Sequence, residues 1–290
     1  MIDKRFQTIY IEISNICNLQ CTFCPVVERD KKVMSVDDFQ NVLEQAAPMT
    51  EKVCLHLMGE PLAHPDFEKI HSLCVKAKIP IQITTNGILI ERYQDLILSS
   101  PIIRQINFSI HSFKDNFPNR PLSEYVSPIF SFSKNASKQK PELYINYRLW
   151  NLKSDAQNDN DEFIEACEKA FDISVKRTFE IGAIKSKKIW NRVYLHFDTR
   201  FEWPSPALQM LGEKGSCHGM RKQIGIHADG TVVPCCLDKE ARINLGNCLD
   251  DELESIINSE RALSMIKGFD QGVFVEDLCK RCSFARRFKS

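Results

Sequence analysis

Apolar and polar residues alternate along several short segments of the chain, and this alternation predicts β-strands. In residues 8–14, three isoleucines occupy one parity, and the other parity carries Tyr10, Glu12 and Ser14. Further segments with strand character follow along the first two thirds of the chain. They are residues 52–58, 79–85, 104–111, 143–149 and 177–183.

Helical patterns lie between these strands. Ser35 followed by Asp38 has the form of a capping box that opens a helix, and Pro65 suits the first position of a second helix. Another helical pattern covers residues 160–171. Strands that alternate with helices are typical of parallel sheets. We therefore expect an α/β fold built as a partial (β/α)6 TIM-like barrel.

One face of the predicted strands is polar, although strands of a parallel sheet are normally apolar on both faces. Gln82, Thr84 and Asn86 fall on one parity of the third strand, and the polar parity of the fifth strand includes Arg148. A polar face that recurs from strand to strand predicts a barrel interior that binds a polar molecule near the carboxyl ends of the strands. The alternative is that some of these strands are sheet edges with one face in solvent.

Composition narrows the class of protein. Of the 290 residues, 43% are hydrophobic, and the formal net charge of zero argues against nucleic acid as a partner. Twelve cysteines are many for this length, and the sequence shows neither a secretory signal nor an apolar run of membrane length. Cysteines in such a chain favour metal binding over disulfides. We expect a cytoplasmic protein that does not contact a membrane.

Cys17, Cys21 and Cys24 form a C-x3-C-x2-C run directly after the first strand. Three thiolates at this spacing can hold three irons of a [4Fe–4S] cluster, whereas thiolate-held clusters normally use four cysteines. The fourth iron then has a coordination site open to a substrate or cofactor. A zinc site or a group of structural cysteines is the alternative, but zinc normally takes four ligands and no nearby Cys or His supplies the fourth.

This run, with Phe23 just before its third cysteine, resembles the signature of the radical S-adenosylmethionine (radical SAM) enzymes. The resemblance implies that S-adenosylmethionine chelates the open iron through its amino and carboxylate groups. It also implies reductive cleavage of S-adenosylmethionine to a 5′-deoxyadenosyl radical, which abstracts a hydrogen atom from the substrate. An electron donor of the flavodoxin or ferredoxin type is the partner that such chemistry implies.

Two further motifs resemble those of the family. Met58-Gly59-Glu60-Pro61 closes the second strand and is similar to the Gly-Gly-Glu-Pro motif that contacts the amino group of S-adenosylmethionine, with Met58 in place of the first Gly. A Gly lets the backbone approach a ligand, and a carboxylate is a natural partner for an ammonium group. Asn86 lies in a Thr-Asn-Gly turn after the third strand, which also resembles the family.

The fourth and fifth strands supply more candidates for the cofactor site. Ser109 matches the serine of the family's Ser-Leu-Asp pattern, whereas His111 stands in place of the aspartate, so the role of position 111 is open. Arg148, late in the fifth strand, could bind the carboxylate of S-adenosylmethionine by a bidentate contact. The alternatives are core hydrogen bonds for Ser109 and Asn86, and a surface ion pair for Arg148.

A second set of cysteines lies near the C-terminus. Cys217 and Cys235 follow the form C-x12-G-x4-C, and Cys279 and Cys282 come far downstream. Over about residues 212–285 this pattern resembles the Twitch domain, the short form of the SPASM domain. The resemblance implies one auxiliary [4Fe–4S] cluster that is ligated by all four cysteines. A zinc site with the same ligands is the alternative.

These motifs divide the chain into three parts. We expect residues 1–190 to form the radical SAM core barrel, residues 191–211 a connection, and residues 212–290 a small C-terminal iron–sulfur domain. Within the last part, Asp229-Gly230 predicts a tight hairpin turn that brings the first two cysteines of the auxiliary set together.

Catalytic residues are harder to assign from the sequence. Cys248 is a spare thiol that could donate a hydrogen atom to a substrate radical, and a buried structural cysteine is its alternative role. His111 and Glu180 are candidate catalytic residues, and Glu12, Asp198 and Arg148 are further candidate bases that the sequence does not rank.

A fully ligated auxiliary cluster has no open iron, so we expect it to carry electrons away from a substrate. The resemblance to Twitch-bearing alcohol dehydrogenases of aminocyclitols implies oxidation of a small polar molecule such as an aminocyclitol or sugar. Epimerisation with Cys248 as hydrogen donor and modification of a ribosomal peptide are alternatives. Peptide-modifying relatives often carry a leader-binding domain, and the first strand begins near residue 8, which leaves no room before it for such a domain. This makes the peptide alternative weaker without excluding it. A non-catalytic iron–sulfur electron carrier is the remaining class, but such a carrier would not need Gly59 and Glu60 to hold a methionine moiety.

Overall fold

The computed structural model describes residues 4–152, 160–176, 186–199 and 202–288. The chain divides into two compact units. The first unit comprises Met1–Cys17, Pro25–Ile81 and Phe201–Ser290, and the second comprises Asn18–Cys24 and Gln82–Arg200. The division into three parts that we expect from the motifs stays a prediction.

Strands and helices alternate through most of the described residues. The strands are β1 (Thr8–Ile11), β2 (Val53–Cys54), β3 (Ile81–Thr85), β4 (Ile103–Phe108), β5 (Tyr144–Leu152), β6 (Ser186–Trp190), β7 (Val193–Thr199), β8 (Gln223–Ile226) and β9 (Val232–Val233). The α-helices are α1 (Val36–Ala46), α2 (Phe67–Lys76), α3 (Ile90–Ser99), α4 (Phe113–Asn116), α5 (Leu122–Gln139), α6 (Asp161–Phe171), α7 (Leu253–Ile257), α8 (Glu260–Asp270) and α9 (Asp277–Lys280).

In the first unit, β1 is flanked on both sides by parallel partners. It pairs with β2 through Ile9 opposite Val53, and with β8 through Thr8 opposite Gln223. Strand β9 continues this part of the sheet as the antiparallel neighbour of β8. A strand from the C-terminal third of the chain thus lies beside the first strand of the predicted barrel.

In the second unit, the strand order is β6-β7-β5-β4-β3. Strand β5 runs parallel to both β4 and β7, whereas β6 is antiparallel to β7. The parallel pairs, together with the helices between the strands, confirm the predicted α/β fold.

The helix signals were mostly correct. The Ser35 hydroxyl accepts a hydrogen bond from the Asp38 backbone N–H at 3.0 Å and caps α1, and the 160–171 pattern forms α6. Pro65, however, is not the first helical residue, because α2 begins only at Phe67 with Asp66 at its N-cap. Helix boundaries of this kind are the least certain part of a sequence-based prediction.

The sixth strand of the structure differs from the sixth strand that the sequence predicts. The predicted strand 177–183 lies outside the described residues. On the side away from β4, the parallel neighbour of β5 is β7, and all of β7 lies within the segment 191–211 that was expected to be a connection. Its buried residues Val193, Leu195 and Phe197 alternate with less buried ones, because one face of the strand packs in the interior.

Candidate cofactor sites and active site

In the second unit, Cys21 and Cys24 belong to one tight turn. The backbone N–H of Cys24 donates to the Cys21 carbonyl at 3.1 Å. The hydrogen bond with the Cys24 thiol, helped by the amide of Asn116, lowers the pKa of Cys21 to about 7, although burial and the charge of Asp115 oppose the shift. A thiol with a lowered pKa readily supplies the thiolate that a metal needs.

The short helix α4 holds this turn from one side. The Asp115 carboxylate accepts hydrogen bonds from the backbone N–H of Thr22 at 2.9 Å and from its hydroxyl at 2.7 Å. The Asn116 side chain accepts from the Gln20 N–H at 2.7 Å and donates to Cys21 Sγ at 3.2 Å. Two neighbouring polar residues therefore fix the loop that carries the second and third cysteines of the run.

Cys17 lies in the first unit, next to the Met58-Gly59-Glu60 segment. The carbonyl of Ile16, the residue before Cys17, accepts a hydrogen bond from the Glu60 N–H at 3.1 Å. Glu60 is 2% exposed, and one of its carboxylate oxygens accepts from the Leu62 N–H at 3.1 Å.

Gly59 has a positive φ of +75°, and a Cβ at this position would stand 2.2 Å from the Ser14 carbonyl oxygen. Its need for glycine therefore comes first from close backbone packing against the end of the first strand. We expect this packing to fix the path of the chain into Glu60, whatever ligand the segment contacts.

Asn86 links its turn to the cysteine loop within the second unit. Its side-chain amide donates to Asn18 Oδ1 at 2.7 Å, and its own Oδ1 accepts from the Ile88 N–H at 3.1 Å. Ser109 follows β4, and its backbone N–H donates to the Thr85 carbonyl at 2.9 Å. Asn86 therefore makes hydrogen bonds of the kind that its alternative role expects, and its bond to Asn18 places it beside the cysteine run. Its role in binding the cofactor stays a prediction.

The polar face predicted for the strands exists in the second unit as a ladder of side chains. Asn107 of β4 is 1% exposed and donates to Thr84 Oγ1 of β3 at 3.1 Å. It accepts from Asn146 of β5 at 2.8 Å and from Gln105 at 2.8 Å. Buried amides of this kind are stable only when they are fully hydrogen-bonded.

Beyond this ladder, at the carboxyl ends of β4, β5 and β7, aromatic and basic side chains stand together. The His111 ring meets Phe23 edge-on at 5.4 Å and stacks on Trp150 at 6.3 Å. The Arg148 guanidinium lies 4.6 Å from the Trp150 ring centroid, and Trp150 donates through Nε1 to His196 Nδ1 at 3.1 Å. Because the indole N–H can only donate, His196 Nδ1 is the acceptor, and the tautomer of the His196 ring is assigned from this bond.

Three of these residues, Phe23, His111 and Arg148, were candidates from the sequence, and the structure brings them together. Trp150 and His196 were missed. Trp150 lies on the polar parity of β5, one residue past the predicted end of the strand, and His196 lies in the unpredicted β7. The alternation of apolar residues along β7 was the signal that could have located His196.

The second set of cysteines gathers within the first unit. Burial raises the pKa of Cys235 well above its usual value, and the nearby Cys236, Cys217 and Cys279 raise it further. Burial likewise raises the pKa of Cys279 well above its usual value, with Cys217 and Cys282 adding to the shift. The charges that add to these pKa shifts come largely from other cysteines of the set, which indicates that the four predicted ligands lie near one another.

Backbone N–H groups point at the sulfurs of this set. Those of Gly219 and His218 lower the pKa of Cys217, which burial raises. Cys235 receives the N–H of Leu237, and Cys282 receives those of Ala285 and Phe284. Hydrogen bonds to cluster sulfurs are one of the means by which proteins stabilise iron–sulfur centres.

The donor set fits a metal cluster. One of the four cysteines is buried and three are half-buried, and desolvation raises the pKa of each thiol. Such thiols need a strong positive charge to ionise, and a coordinating metal deprotonates a thiol outright. Each of the twelve cysteines, all of which lie in the described residues, is a thiol and not part of a disulfide. Across the described part of the chain, no group of three or more His, Cys, Asp or Glu side chains is already arranged to hold a metal ion.

Cys248 is buried, with its thiol directed at the Gly230 carbonyl oxygen at 3.3 Å. Its backbone N–H donates to the same carbonyl at 3.0 Å, and its own carbonyl accepts from the Gln45 side chain at 2.9 Å. Burial raises the pKa of Cys248 to about 12. These contacts favour the structural role over the role of hydrogen donor, which stays a prediction.

The structure describes only one of the two remaining candidate catalytic residues, Glu180 and Asp198. Glu180 lies outside the described residues, and Asp198 lies in β7 with a carboxylate oxygen that accepts from the Thr199 N–H at 2.8 Å.

Within the described ranges, no helix is long and apolar enough to cross a membrane.

Comparison with known proteins defines the class. The sequence profile of the Radical SAM superfamily matches residues 11–187, so the chain belongs to this superfamily. A second profile, that of the SPASM iron–sulfur cluster-binding domain, matches residues 217–283, which include all four cysteines of the C-terminal set. S-adenosylmethionine, a [4Fe–4S] cluster and an auxiliary [4Fe–4S] cluster are therefore its cofactors.

Curated relatives differ widely in what they do. The chain is 28% identical over 111 residues to a probable GTP 3′,8-cyclase of Methanococcus maripaludis, a match that spans 37% of this chain and only 37% of that protein. It is 23% identical over 297 residues to a tungsten-containing aldehyde ferredoxin oxidoreductase cofactor-modifying protein of Pyrococcus furiosus, covering 87% of this chain and 81% of that protein.

Solved structures show the same fold. BtrN in complex with AdoMet and 2-DOIA aligns with a TM-score of 0.63 at 16% identity, over 97% of this chain and 94% of BtrN. SuiB of Streptococcus suis, bound to its precursor peptide SuiA, aligns with a TM-score of 0.64 at 15% identity, over 99% of this chain and 74% of SuiB. At these identities the likeness establishes the fold alone.

Proposed function

We propose that this radical SAM enzyme oxidises a small polar molecule and passes the electron to its auxiliary cluster. The observation that carries the proposal is the C-terminal set of four cysteines, one buried and three half-buried, which offers a cluster four protein ligands and no open iron. A closed cluster of this kind suits electron transfer rather than substrate binding. The nearly complete two-way coverage with BtrN, whose structure contains AdoMet and 2-DOIA, supports a small-molecule substrate.

The cluster with the open iron is assigned to Cys17, Cys21 and Cys24, and the auxiliary cluster to the C-terminal set. When bound, the first cluster and S-adenosylmethionine supply the radical that removes a hydrogen atom from the substrate. The lowered pKa of Cys21 and the hydrogen bonds from α4 support this assignment. The auxiliary ligands are Cys217, Cys235, Cys279 and Cys282.

The protein's part is to bind and orient S-adenosylmethionine. Gly59 and Glu60 are assigned to its ammonium group, because a buried carboxylate favours a cationic partner. Arg148 is assigned to its carboxylate, and Asn86 and Ser109 to further polar contacts. Gly59, Glu60, Asn86 and Ser109 are assigned because they match sequence motifs of the family, as does Phe23. Arg148 is assigned from the polar parity of its strand.

The substrate is assigned to the basic and aromatic face of the second unit, beside His111, Trp150 and His196. An aromatic platform with hydrogen-bonding edges suits a small ring that carries hydroxyl or amino groups. In this proposal His111, whose Nδ1 donates to the Arg148 carbonyl at 3.2 Å, is the candidate base for the substrate proton. Glu180 is a second candidate for that role.

The experiment is anaerobic reconstitution with iron and sulfide, followed by iron counting and assay of 5′-deoxyadenosine with dithionite. Two [4Fe–4S] clusters require about eight irons per chain, and Cys17→Ala/Cys21→Ala/Cys24→Ala should lower this to about four and abolish 5′-deoxyadenosine. Production of 5′-deoxyadenosine distinguishes an enzyme from an electron carrier. A wild-type count of about four that falls to none would overturn the electron-transfer role of the C-terminal cysteines.

Substrate screening with aminocyclitols and sugars then tests the net reaction. Oxidation should yield a ketone product without incorporation of solvent deuterium, whereas epimerisation with Cys248 as donor should place one deuterium from D2O in the product.

Modification of a peptide is the second candidate, because the chain aligns along almost its whole length with SuiB bound to a precursor peptide. It predicts that small molecules leave 5′-deoxyadenosine formation at its basal rate and that a peptide raises it.

A further inference from the structure

Glu12 is a fully buried carboxylate at the end of β1, with an exposed side-chain fraction of 0%. Its two oxygens accept hydrogen bonds from Arg29 Nη2, at 3.0 and 3.1 Å. One oxygen also accepts from the backbone N–H of Met58 at 3.1 Å, and the other from the backbone N–H of Ala228 at 3.2 Å. Each oxygen of this carboxylate therefore has two donors.

The donors come from segments that are far apart in the sequence but belong to the same compact unit. Met58 directly precedes Gly59 and Glu60, and Ala228 lies in the β8–β9 hairpin that leads to Cys235. Arg29 follows the cysteine run, and its Nε donates to the Lys239 carbonyl at 2.6 Å. Glu12 is thus the common acceptor for the segment assigned to S-adenosylmethionine and for the C-terminal iron–sulfur domain.

The segment after Met58 has little freedom to compensate for a shift. Gly59 packs with its Cα against the Ser14 carbonyl, and the Glu60 N–H is bonded to the Ile16 carbonyl. The Met58 N–H, bonded to Glu12, is a third contact that fixes this segment. Movement of this anchor would tilt the Glu60 carboxylate.

A carboxylate is the side chain that suits this position. Met58 and Ala228 donate to different oxygens, so a glutamine would satisfy one of them and present its own N–H2 group to the other. Arg29 has a side chain only 13% exposed, so loss of the negative charge would also leave a largely buried guanidinium without its partner.

We propose that Glu12 is a positioning residue. It holds the Met58–Glu60 backbone in the orientation that binds the ammonium group of S-adenosylmethionine, and it links this backbone segment to the C-terminal domain. The inference rests on the proposed assignment of Glu60 to that ammonium group. Glu12 itself, with both oxygens occupied by protein donors, acts through Met58 and not on the substrate.

The test is Glu12→Gln in the full-length, reconstituted protein, with Glu240→Gln as the matched control. The Glu240 carboxylate accepts from the backbone N–H groups of Glu28 and Arg29, at 3.0 and 3.2 Å. The control therefore perturbs the contact between the Arg29 segment and the C-terminal domain, but it leaves the hydrogen bond to Met58 in place. The readouts are the Kd for S-adenosylmethionine from equilibrium dialysis, the change in the cluster EPR spectrum on its addition, iron content and the thermal midpoint.

We expect Glu12→Gln to keep its iron and to raise the Kd at least about tenfold, while Glu240→Gln stays within about twofold of wild type. A purely structural role would lower the thermal midpoint of both variants and leave both Kd values unchanged, and that result would overturn the proposal. If Glu12→Gln does not fold, Glu12→Gln/Arg29→Met removes the unpaired guanidinium, and the same rise in Kd is expected. Failure of the double variant to fold would make Glu12 a folding requirement and also reject the proposal.

Glu60→Gln separates this inference from the proposed function. If Glu60→Gln weakens binding of S-adenosylmethionine and Glu12→Gln does not, the positioning role alone is wrong. If neither substitution weakens binding, the assignment of Glu60 to the ammonium group fails as well.

Discussion

The side-chain amide of Asn116 donates a hydrogen bond to Cys21 Sγ across 3.2 Å. Hydrogen bonds to a cluster sulfur stabilise the more negative, reduced state. We therefore expect Asn116→Ala to make the midpoint potential of the first cluster more negative by roughly 30–60 mV, a shift equivalent to up to about a tenfold change in a one-electron equilibrium. Redox titration monitored by EPR measures the change.

The neighbouring Asp115 provides the matched control with the opposite sign. Its negative charge lies close enough to oppose ionisation of Cys21, so Asp115→Asn should make the potential less negative. Each residue makes two hydrogen bonds to the cysteine loop, so either substitution can also change the mobility of the loop. Shifts of the same sign in the two variants would mean that loop mobility, and not the hydrogen bond, sets the potential.

Cys235 and Cys236 are adjacent but have different assignments. Cys235 is a proposed ligand, whereas Cys236 has no place in the four-cysteine set. Cys235→Ser should lower the iron content of the reconstituted protein from about eight to about four per chain, and Cys236→Ser should leave about eight. Iron and sulfide analysis with Mössbauer spectroscopy measures this directly. Equal losses from the two variants would contradict the ligand assignment.

The buried thiol of Cys248 should be chemically inert and structurally important. Because burial raises its pKa from 9.0 to about 12, only about one molecule in 10⁴ carries the thiolate at pH 8, and alkylation of the folded protein should be very slow. Cys248→Ala should lower the free energy of unfolding by about 1–2 kcal/mol and leave formation of 5′-deoxyadenosine and product unchanged. Loss of product in a variant of normal stability would instead support the hydrogen-donor role.

The same shift gives Cys248 a defined effect on stability. Its pKa is higher in the folded state than in the unfolded chain, so the folded protein holds this proton more tightly. The contribution to stability is complete below about pH 9 and is lost progressively as the pH rises towards 12. Urea titrations at several pH values should show a steeper alkaline loss for wild type than for Cys248→Ala.

Gly59 and Gly272 form a natural pair for testing close packing. Their φ angles are +75° and +72°, but a Cβ on Gly59 meets the Ser14 carbonyl oxygen at 2.2 Å, whereas a Cβ on Gly272 meets no atom within 4 Å. Gly272→Ala should therefore cost only the backbone strain, about 1 kcal/mol. Gly59→Ala should cost at least about 3 kcal/mol because the backbone itself must move. Similar thermal midpoints for the two variants would contradict this account.

The elements that the sequence predicted well are those with a strong local signal. Strand β1 shows strict alternation, and α1 has its cap and its apolar face within one short segment. The position of Glu12 on the polar parity was also correct, but its partners were not predictable. They come from the segments that contain Met58 and Ala228, and no local pattern joins these segments.

Other parts depend on tertiary packing that single-sequence patterns do not contain. Helix α5 contains Pro128 and several serines, and its packing rests on buried side chains such as Tyr125 and Phe132. Helix α4 has only four residues, so nothing in the sequence marks Asn116 as a partner of Cys21. Gly59 was interpreted as making room for a ligand, but the neighbouring backbone already requires it.

The parallel pairing of β1 with β8 has a consequence for synthesis of the protein. Thr8 emerges from the ribosome 215 residues before its partner Gln223. One edge of β1 therefore stays open while the residues between them are made, and open strand edges recruit other chains. Expression of a fragment that stops before Gln223 should give aggregated protein, because the first strand would lack a neighbour on one side.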